Sequence, residues 1–415
     1  MSARARTRCA GNACVSRLRW TLNAHRAIGS RMSHDIETTV RDRYTAAAAT
    51  REAALCCPVE YDCDLLRVIP PEVLAVDYGC GDPTRYVHAG ETVLDLGSGS
   101  GKTCFMAAQV VGAAGRVLGV DFTDDMLALA RRHQGTVAER LGYANVTFLR
   151  GRIQDLATSI DEVDDYLRRR PLASVADLEA FERFRGTQRR ERPLVADASV
   201  DVAISSCVLN LVEDAEKQAL FAEIHRVLRR GGRAVLSDIV SDEPVPGHLK
   251  ADPELWSGCI SGALQESEFL AALTRAGFYG IEILERGATP WRTVEGIEFR
   301  AVTVAAYKGK EGPCWDANQA VIYRGPWREV RDDDGHTLVR GVPMAVCEKT
   351  FALYTREPYA RDIIAVPPHA QIPESDRKGF DCSRTAPRHP RETKGAGYAV
   401  TTAADAPCCA PGECG

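Results

Sequence analysis

Three cysteines stand in short motifs of small residues: Cys80 in Tyr78-Gly79-Cys80-Gly81, Cys207 in Ser205-Ser206-Cys207-Val208-Leu209-Asn210, and Cys259 in Ser257-Gly258-Cys259-Ile260. They surround a glycine-rich run, Val93-Leu94-Asp95-Leu96-Gly97-Ser98-Gly99-Ser100-Gly101, in a chain with no other obvious nucleophile or base. A thiolate is a soft ligand and a nucleophile, so the pattern implies a soft, thiophilic substrate.

The glycine run narrows the second reactant. Glycines at 97, 99 and 101 after a strand let backbone approach a ligand closely and let a helix start beside the strand end, where free N–H groups collect. A dinucleotide site needs the G-x-G-x-x-G spacing, and here the third glycine, Gly101, falls one position early. Gly101-Lys102-Thr103 imitates the end of a phosphate loop, but Leu96 occupies the place of its first glycine. S-adenosylmethionine carries no phosphate and asks instead for carboxylates. Asp121, 24 residues beyond Gly97, is placed to take the ribose hydroxyls, and Asp95 to reach the amino group of the methionine moiety. Met126 and Ile153-Gln154 are expected to flank the adenine; the bland reading of Asp121 is a cap for the following helix, although Thr123 is the better cap.

These residues need a scaffold, and the chain supplies strands alternating with helices. Runs at Thr92 to Leu96, Arg116 to Phe122, Val146 to Arg150, Val200 to Cys207 and Arg233 to Val240 read as strands, with helices over Ser100 to Val111, from Thr123, and over Ala215 to Leu228. Tyr279 to Leu284 and Val302 to Tyr307 complete seven. The fold class is therefore α/β, a doubly wound Rossmann-like sheet of seven strands with a smaller C-terminal α+β unit. Ligands gather beyond the carboxyl ends of such strands, which puts Cys207 and the glycine loop on one cleft.

Residues 35 to 89 read as an N-terminal arm carrying Cys56, Cys57 and Cys80, residues 90 to 310 as the catalytic domain, 311 to 370 as the small domain, and 371 to 415 as a flexible cysteine-containing tail. Residues 157 to 195 form a charged helical insertion, solvated or lid-like. Residues 1 to 34 hold seven arginines and no acid, which suggests an extension upstream of a start at Met32 or a transit peptide.

The 415 residues with a net charge of -5, from 52 basic and 57 acidic side chains, exert no overall pull toward nucleic acid or anionic membrane. No run of about 18 apolar residues would span a bilayer. Fifteen cysteines, an odd number spread over a long chain, argue for reduced thiols in a cytoplasm rather than a disulfide framework. A monomer is expected.

On the Cys80, Cys207 and Cys259 motifs and the Leu94 to Gly101 loop together, the chain closely resembles the S-adenosylmethionine-dependent arsenite methyltransferases over roughly residues 55 to 310. Singly, a free cysteine is usually a small buried hydrophobe; three in matching motifs reverse that. The resemblance implies trivalent arsenic held by Cys80, Cys207 and Cys259 and methylated in steps, with a thiol reductant (thioredoxin or glutathione) as co-substrate. It also implies a fourth, upstream cysteine able to form a disulfide with Cys80 during turnover. Cys56, Cys57 and Cys63 compete for that role, at shorter spacing than expected, and Cys57 is taken. Two readings stand beside this one: a methyltransferase for a small organic acceptor, with the cysteines as core packing, and a thiol-rich arsenic- or metal-binding protein using Cys408, Cys409 and Cys414.

Overall fold

The structure is a computed structural model, and it describes residues 8–10, 36–50, 52, 59–76, 78–383 and 386–401. The chain divides into two compact units, Met1–Gly309 and Lys310–Gly415.

The first unit is built on one large sheet. Its strands are β1 (Thr92–Leu96), β2 (Arg116–Asp121), β3 (Val146–Arg150), β4 (Val200–Ser206), β5 (Leu228–Ser241), β6 (Tyr279–Arg286), β7 (Arg292–Val294) and β8 (Ile297–Tyr307). They lie in the order β3-β2-β1-β4-β5-β8-β6, with the short β7 paired to β8 as an eighth strand beyond the seven expected. β1 to β5 pair in parallel, and β8 runs antiparallel between β5 and β6. Val93, Leu94 and Leu96 are all fully buried because helices cover both faces, which is why β1 reads as a continuous apolar run rather than an alternating one. Strand order reverses between β1 and β4, so the crevice opens there, at the carboxyl ends that carry Gly97 and Cys207.

Helix α1 (Ile36–Ala49) precedes the sheet, α2 (Lys102–Val111) follows β1, and α3 (Asp124–Leu141) follows β2. Cys104, Phe105, Ala108 and Val111 are buried on α2 as the periodicity requires, but so are Met106 and Ala107. Gly101 makes the turn into α2 with φ of 89°, and a Cβ there would meet the Phe148 ring at 2.7 Å. Gly101→Ala combines a left-handed backbone with overpacking, and is expected to cost about 2–4 kcal/mol, read as a lower urea midpoint at unchanged slope.

The arm expected at 35 to 89 is not an outlying element. Tyr61, Ile69, Val73 and Val87 join the core cluster on one face of the sheet, because the apolar side chains ahead of β1 have α2 and α3 to pack against. Of residues 1 to 34 only Arg8–Ala10 is described, as a strand paired antiparallel with Glu60–Asp62, so at those three positions the expected lack of structure does not hold. The insertion forms helices α4 (Ile160–Arg169) and α5 (Val175–Glu191), held by Tyr166 stacked on Phe184 at 4.4 Å. Among the described residues no helix is long and apolar enough to cross a membrane.

In the second unit, Ala320–Tyr323 is the central strand between Pro343–Ala345 and Ile363–Val366, with a helix over Glu348–Tyr354. The segment after residue 370, expected to be a tail, is built into this unit as far as residue 401. Lys378–Gly379 pairs with Trp315–Asp316, and the buried Arg388 binds Asp316 at 2.7 Å and Glu392 at 3.0 Å. A polar composition misled because these side chains satisfy one another inside the unit. Cys408, Cys409 and Cys414 lie outside the described residues.

Candidate active site

The cleft at the switch point encloses about 1300 Å³, open solvent included, and is lined by Asp95, Gly97, Gly99, Asp121, Met126, Ile153, Gln154 and Cys207. Eight residues singled out by sequence therefore meet in one place. Gly101 is absent from the lining: its work is the helix start and the close contact with Phe148.

The loop owes its shape to backbone donors. Gly97 and Ser98 both donate N–H to Val120 O, at 2.8 and 3.0 Å, folding the loop over the end of β2. Asp121 accepts the Gly99 N–H on one carboxylate oxygen and the Thr123 N–H on the other, both at 2.8 Å. It thus ties the loop to the start of α3, and Thr123, taken from sequence as the better cap, makes no side-chain cap bond. Burial pushes the Asp121 carboxyl up, and the backbone N–H groups offset part of that. Asp95 receives the thiol of Cys104 at 3.2 Å; burial first, and this carboxylate next, push that thiol well up. Gln154 donates to Glu216 at 2.9 Å on the cleft rim. The Ser98 hydroxyl, buried in the loop and on the cleft lining, has no hydrogen-bond partner among the described residues.

The thiol half is assembled from three directions. Cys207 follows β4 with a left-handed φ of 61°, and its N–H donates to Ser237 O at 2.8 Å. Cys259 also has φ of 61° and donates its thiol to the Cys207 carbonyl at 3.1 Å. Non-glycine residues held in this region cost on the order of 1–3 kcal/mol each and cluster where a side chain must be aimed. Cys80 donates its thiol to Ser237 O at 3.6 Å, while its N–H and that of Gly81 converge on Ser206 Oγ at 3.2 and 3.3 Å. Gly79 has to be glycine, since a Cβ would sit 2.7 Å from that same hydroxyl.

The sulfurs of Cys80 and Cys207 and a carboxylate oxygen of Asp238 all lie within 4.8 Å of one another, fully buried. The Cys259 sulfur is not part of that triplet, although the three cysteines share one buried cluster, and of the three only Cys207 lines the cleft. Cys57, with Cys56, lies outside the described residues. Cys63 is disulfide-bonded, an exception to the reduced thiols expected from composition. Cys80, Cys104, Cys207, Cys259, Cys314, Cys347 and Cys382 take part in no disulfide.

Sequence reasoning missed two side chains. Asp238 is pushed up to about 6 by burial, against the N–H groups of Ile239 and Leu209 that bond it at 2.7 and 2.8 Å. Its signal was an acid within the buried, mostly apolar stretch 234–240 of β5. Tyr44, from α1, lines the cleft and hydrogen-bonds Cys259; burial and then the thiols of Cys259 and Cys207 push its hydroxyl well above its ordinary value. Arg43 anchors α1 beside it, donating to Ser257 Oγ at 2.7 Å and Glu254 O at 2.8 Å in the short helix Pro253–Ser257 before Cys259.

Comparison with known proteins places this arrangement. The family described as Methyltransferase domain matches residues 87–192 and 188–277, and a domain of unknown function matches residues 310–398. The crystal structure of an arsenic(III) S-adenosylmethionine methyltransferase from Chlamydomonas reinhardtii superposes with a TM-score of 0.50 at 28% identity, covering 77% of this chain and 98% of that one. An arsenite methyltransferase of Mus musculus is 29% identical over 351 residues, 81% of this chain and 82% of its own. One from Aquipseudomonas alcaligenes is 35% identical over 301 residues, 70% of this chain and 77% of its own. Identity at that level over most of both chains reflects common descent, and the chain belongs to the arsenite methyltransferase family.

Proposed function

We propose that the protein transfers methyl groups from S-adenosylmethionine to trivalent arsenic held on the thiolates of Cys80, Cys207 and Cys259. The observation that carries the assignment of residues is the convergence of the Cys80 and Cys207 sulfurs with Asp238 directly beside a cleft whose other wall is the glycine loop.

The cleft fits S-adenosylmethionine by its donor set. Asp95 and Asp121 suit a cationic amine and ribose hydroxyls, and the unpartnered Ser98 hydroxyl offers a further bond. Lys102, which also lines the cleft, is held 3.2 Å over the Tyr61 ring and so is engaged by a protein partner. When bound, S-adenosylmethionine supplies a methyl group activated on a sulfonium.

The chain's own residues then act by positioning. Trivalent arsenic bound to three thiolates is a pyramid with one lone pair, and Cys207, at the cleft wall, fixes which way that pair faces. The lone pair forms the bond to the methyl carbon as the sulfonium–carbon bond breaks; arsenic rises by two in oxidation state and a thiol reductant, glutathione or thioredoxin, returns it. No proton moves in the displacement, which accounts for a site without histidine. Asp238 is a neighbour able to take up a proton as a thiol binds arsenic. We expect a monomer in a cytoplasm, which keeps such thiols reduced.

Incubation with trivalent arsenic, thiol and S-adenosylmethionine should yield methylated arsenic and S-adenosylhomocysteine; neither product would refute the reading. Asp121→Ala should weaken S-adenosylmethionine binding by about 10- to 100-fold, the equivalent of roughly 1.5–3 kcal/mol, with arsenic binding retained. Calorimetry reads this directly, and an unchanged affinity would reduce Asp121 to the tie between Gly99 and Thr123.

A further inference from the structure

The second unit carries a thiol cluster of its own. Cys314 directly precedes the strand Trp315–Asp316, whose partner Lys378–Gly379 leads into Phe380; the Phe380 N–H donates to the Cys314 carbonyl at 2.8 Å, and Cys382 follows two residues later. Cys347 caps the helix Glu348–Tyr354 and comes to the same place from the other side, its sulfur accepting the Thr350 N–H at 3.4 Å with the Thr350 hydroxyl at 3.2 Å. The three sulfurs all lie within 4.8 Å of one another, and all three thiols are free. Cys347 is buried, while Cys314 and Cys382 are partly open to solvent.

We propose that Cys314, Cys347 and Cys382 form a second site for a trivalent thiophilic ion, namely trivalent arsenic, separate from the methylation site. The identity of the ion rests on the substrate reading above; the donor set supports it independently. Soft thiolates are the only donors: no histidine, aspartate or glutamate among the described residues joins the group. A structural zinc site is closed by four ligands, whereas trivalent arsenic is satisfied by three in a pyramid, which is the number present among the described residues. Two partly exposed sulfurs let the ion enter and leave, and the hydrogen bonds to Cys347 hold the third sulfur as the fixed corner. Each thiol that binds arsenic releases its proton as an arsenic–oxygen bond of arsenite is replaced by an arsenic–sulfur bond, the hydroxide leaving as water, with no change of oxidation state.

The test uses the full chain, reduced, desalted and loaded with arsenite, with bound arsenic counted by elemental mass spectrometry. Cys314→Ser/Cys382→Ser leaves Cys347 and its helix cap in place. It should bind one arsenic fewer than wild type while its methylation rate at saturating arsenite is unchanged. Cys80→Ser/Cys207→Ser/Cys259→Ser should lose methylation and still show arsenic with three sulfur neighbours by X-ray absorption, a signal that disappears when Cys314→Ser and Cys382→Ser are added. If the double variant folds poorly, the three-sulfur signal of the Cys80→Ser/Cys207→Ser/Cys259→Ser variant, in which Cys314, Cys347 and Cys382 are intact, decides the matter, and its absence would overturn the proposal. Equal arsenic content in wild type and double variant would overturn the proposal. So would zinc that co-purifies, is lost in the double variant and is not displaced by arsenite. Loading and methylation are read separately, so a wild type that loads both sites without methylating would sink the substrate reading and leave this site standing.

Discussion

Cys207→Ser is expected to remove methylation of every trivalent arsenic substrate, a loss of about 10³-fold or more, the size seen when a group acting directly on the reacting atom is deleted. Cys207 is the one cysteine of the three on the cleft wall, so it is placed to present arsenic to the activated methyl group. A hydroxyl is protonated, hard and a poor ligand for a soft centre. The substitution leaves the scaffold intact, because the Cys259 thiol bonds the backbone carbonyl of Cys207 and the Cys207 N–H bonds Ser237 O. Methylated arsenic formed per folded protein is the measurement; turnover near that of wild type would dismiss Cys207 as a ligand. Cys259→Ser should cause a loss of similar size for the same reason.

Cys80→Ser is expected to separate the substrates, losing about 10²-fold or more on arsenite while methylating monomethylarsenite within a few-fold of wild type. Inorganic arsenite offers three exchangeable positions, enough for all three cysteines; monomethylarsenite has one position blocked by carbon and takes two. A mobile arm cannot be the reason Cys80 is the spare one, since Cys80 is buried and fastened through Ser206. The reason lies in orientation. Cys207 and Cys259 are both held at left-handed backbone and both adjoin Tyr44, which lines the cleft, whereas Cys80 is not held in that conformation. Separate initial rates on the two arsenicals decide. Equal loss on both would mean Cys80 does more than fill the third position; retained arsenite activity would remove it from the mechanism.

The elements that could be read directly are those whose cause is local. β1 is a continuous apolar run because both its faces are covered, and the glycines at 97 and 99 announce backbone conformations with φ of 69° and 49° that other residues rarely adopt. The three cysteine motifs and Asp121 were legible as residue types at informative spacing, down to the cleft they share. What the chain does not state locally is which distant segments meet. Asp238 meets Cys80 across more than 150 positions because parallel pairing brings β5 beside β4 and a crossing segment over both. Tyr44 reaches Cys259 because Arg43 ties α1 to Ser257, at the end of the short helix before Cys259. The described residues of the polar segment between 371 and 401 are built into the second unit in part because Arg388 pairs with both Asp316 and Glu392, a match that no composition reveals. Cys314, Cys347 and Cys382 are separated by more than 30 positions each, and only the pairing of Trp315–Asp316 with Lys378–Gly379 and the helix start at Cys347 draws their sulfurs together. Periodicity and turn chemistry act over a few residues and set which elements form; strand order and side-chain complementarity act between elements, and they alone decide which thiols become neighbours.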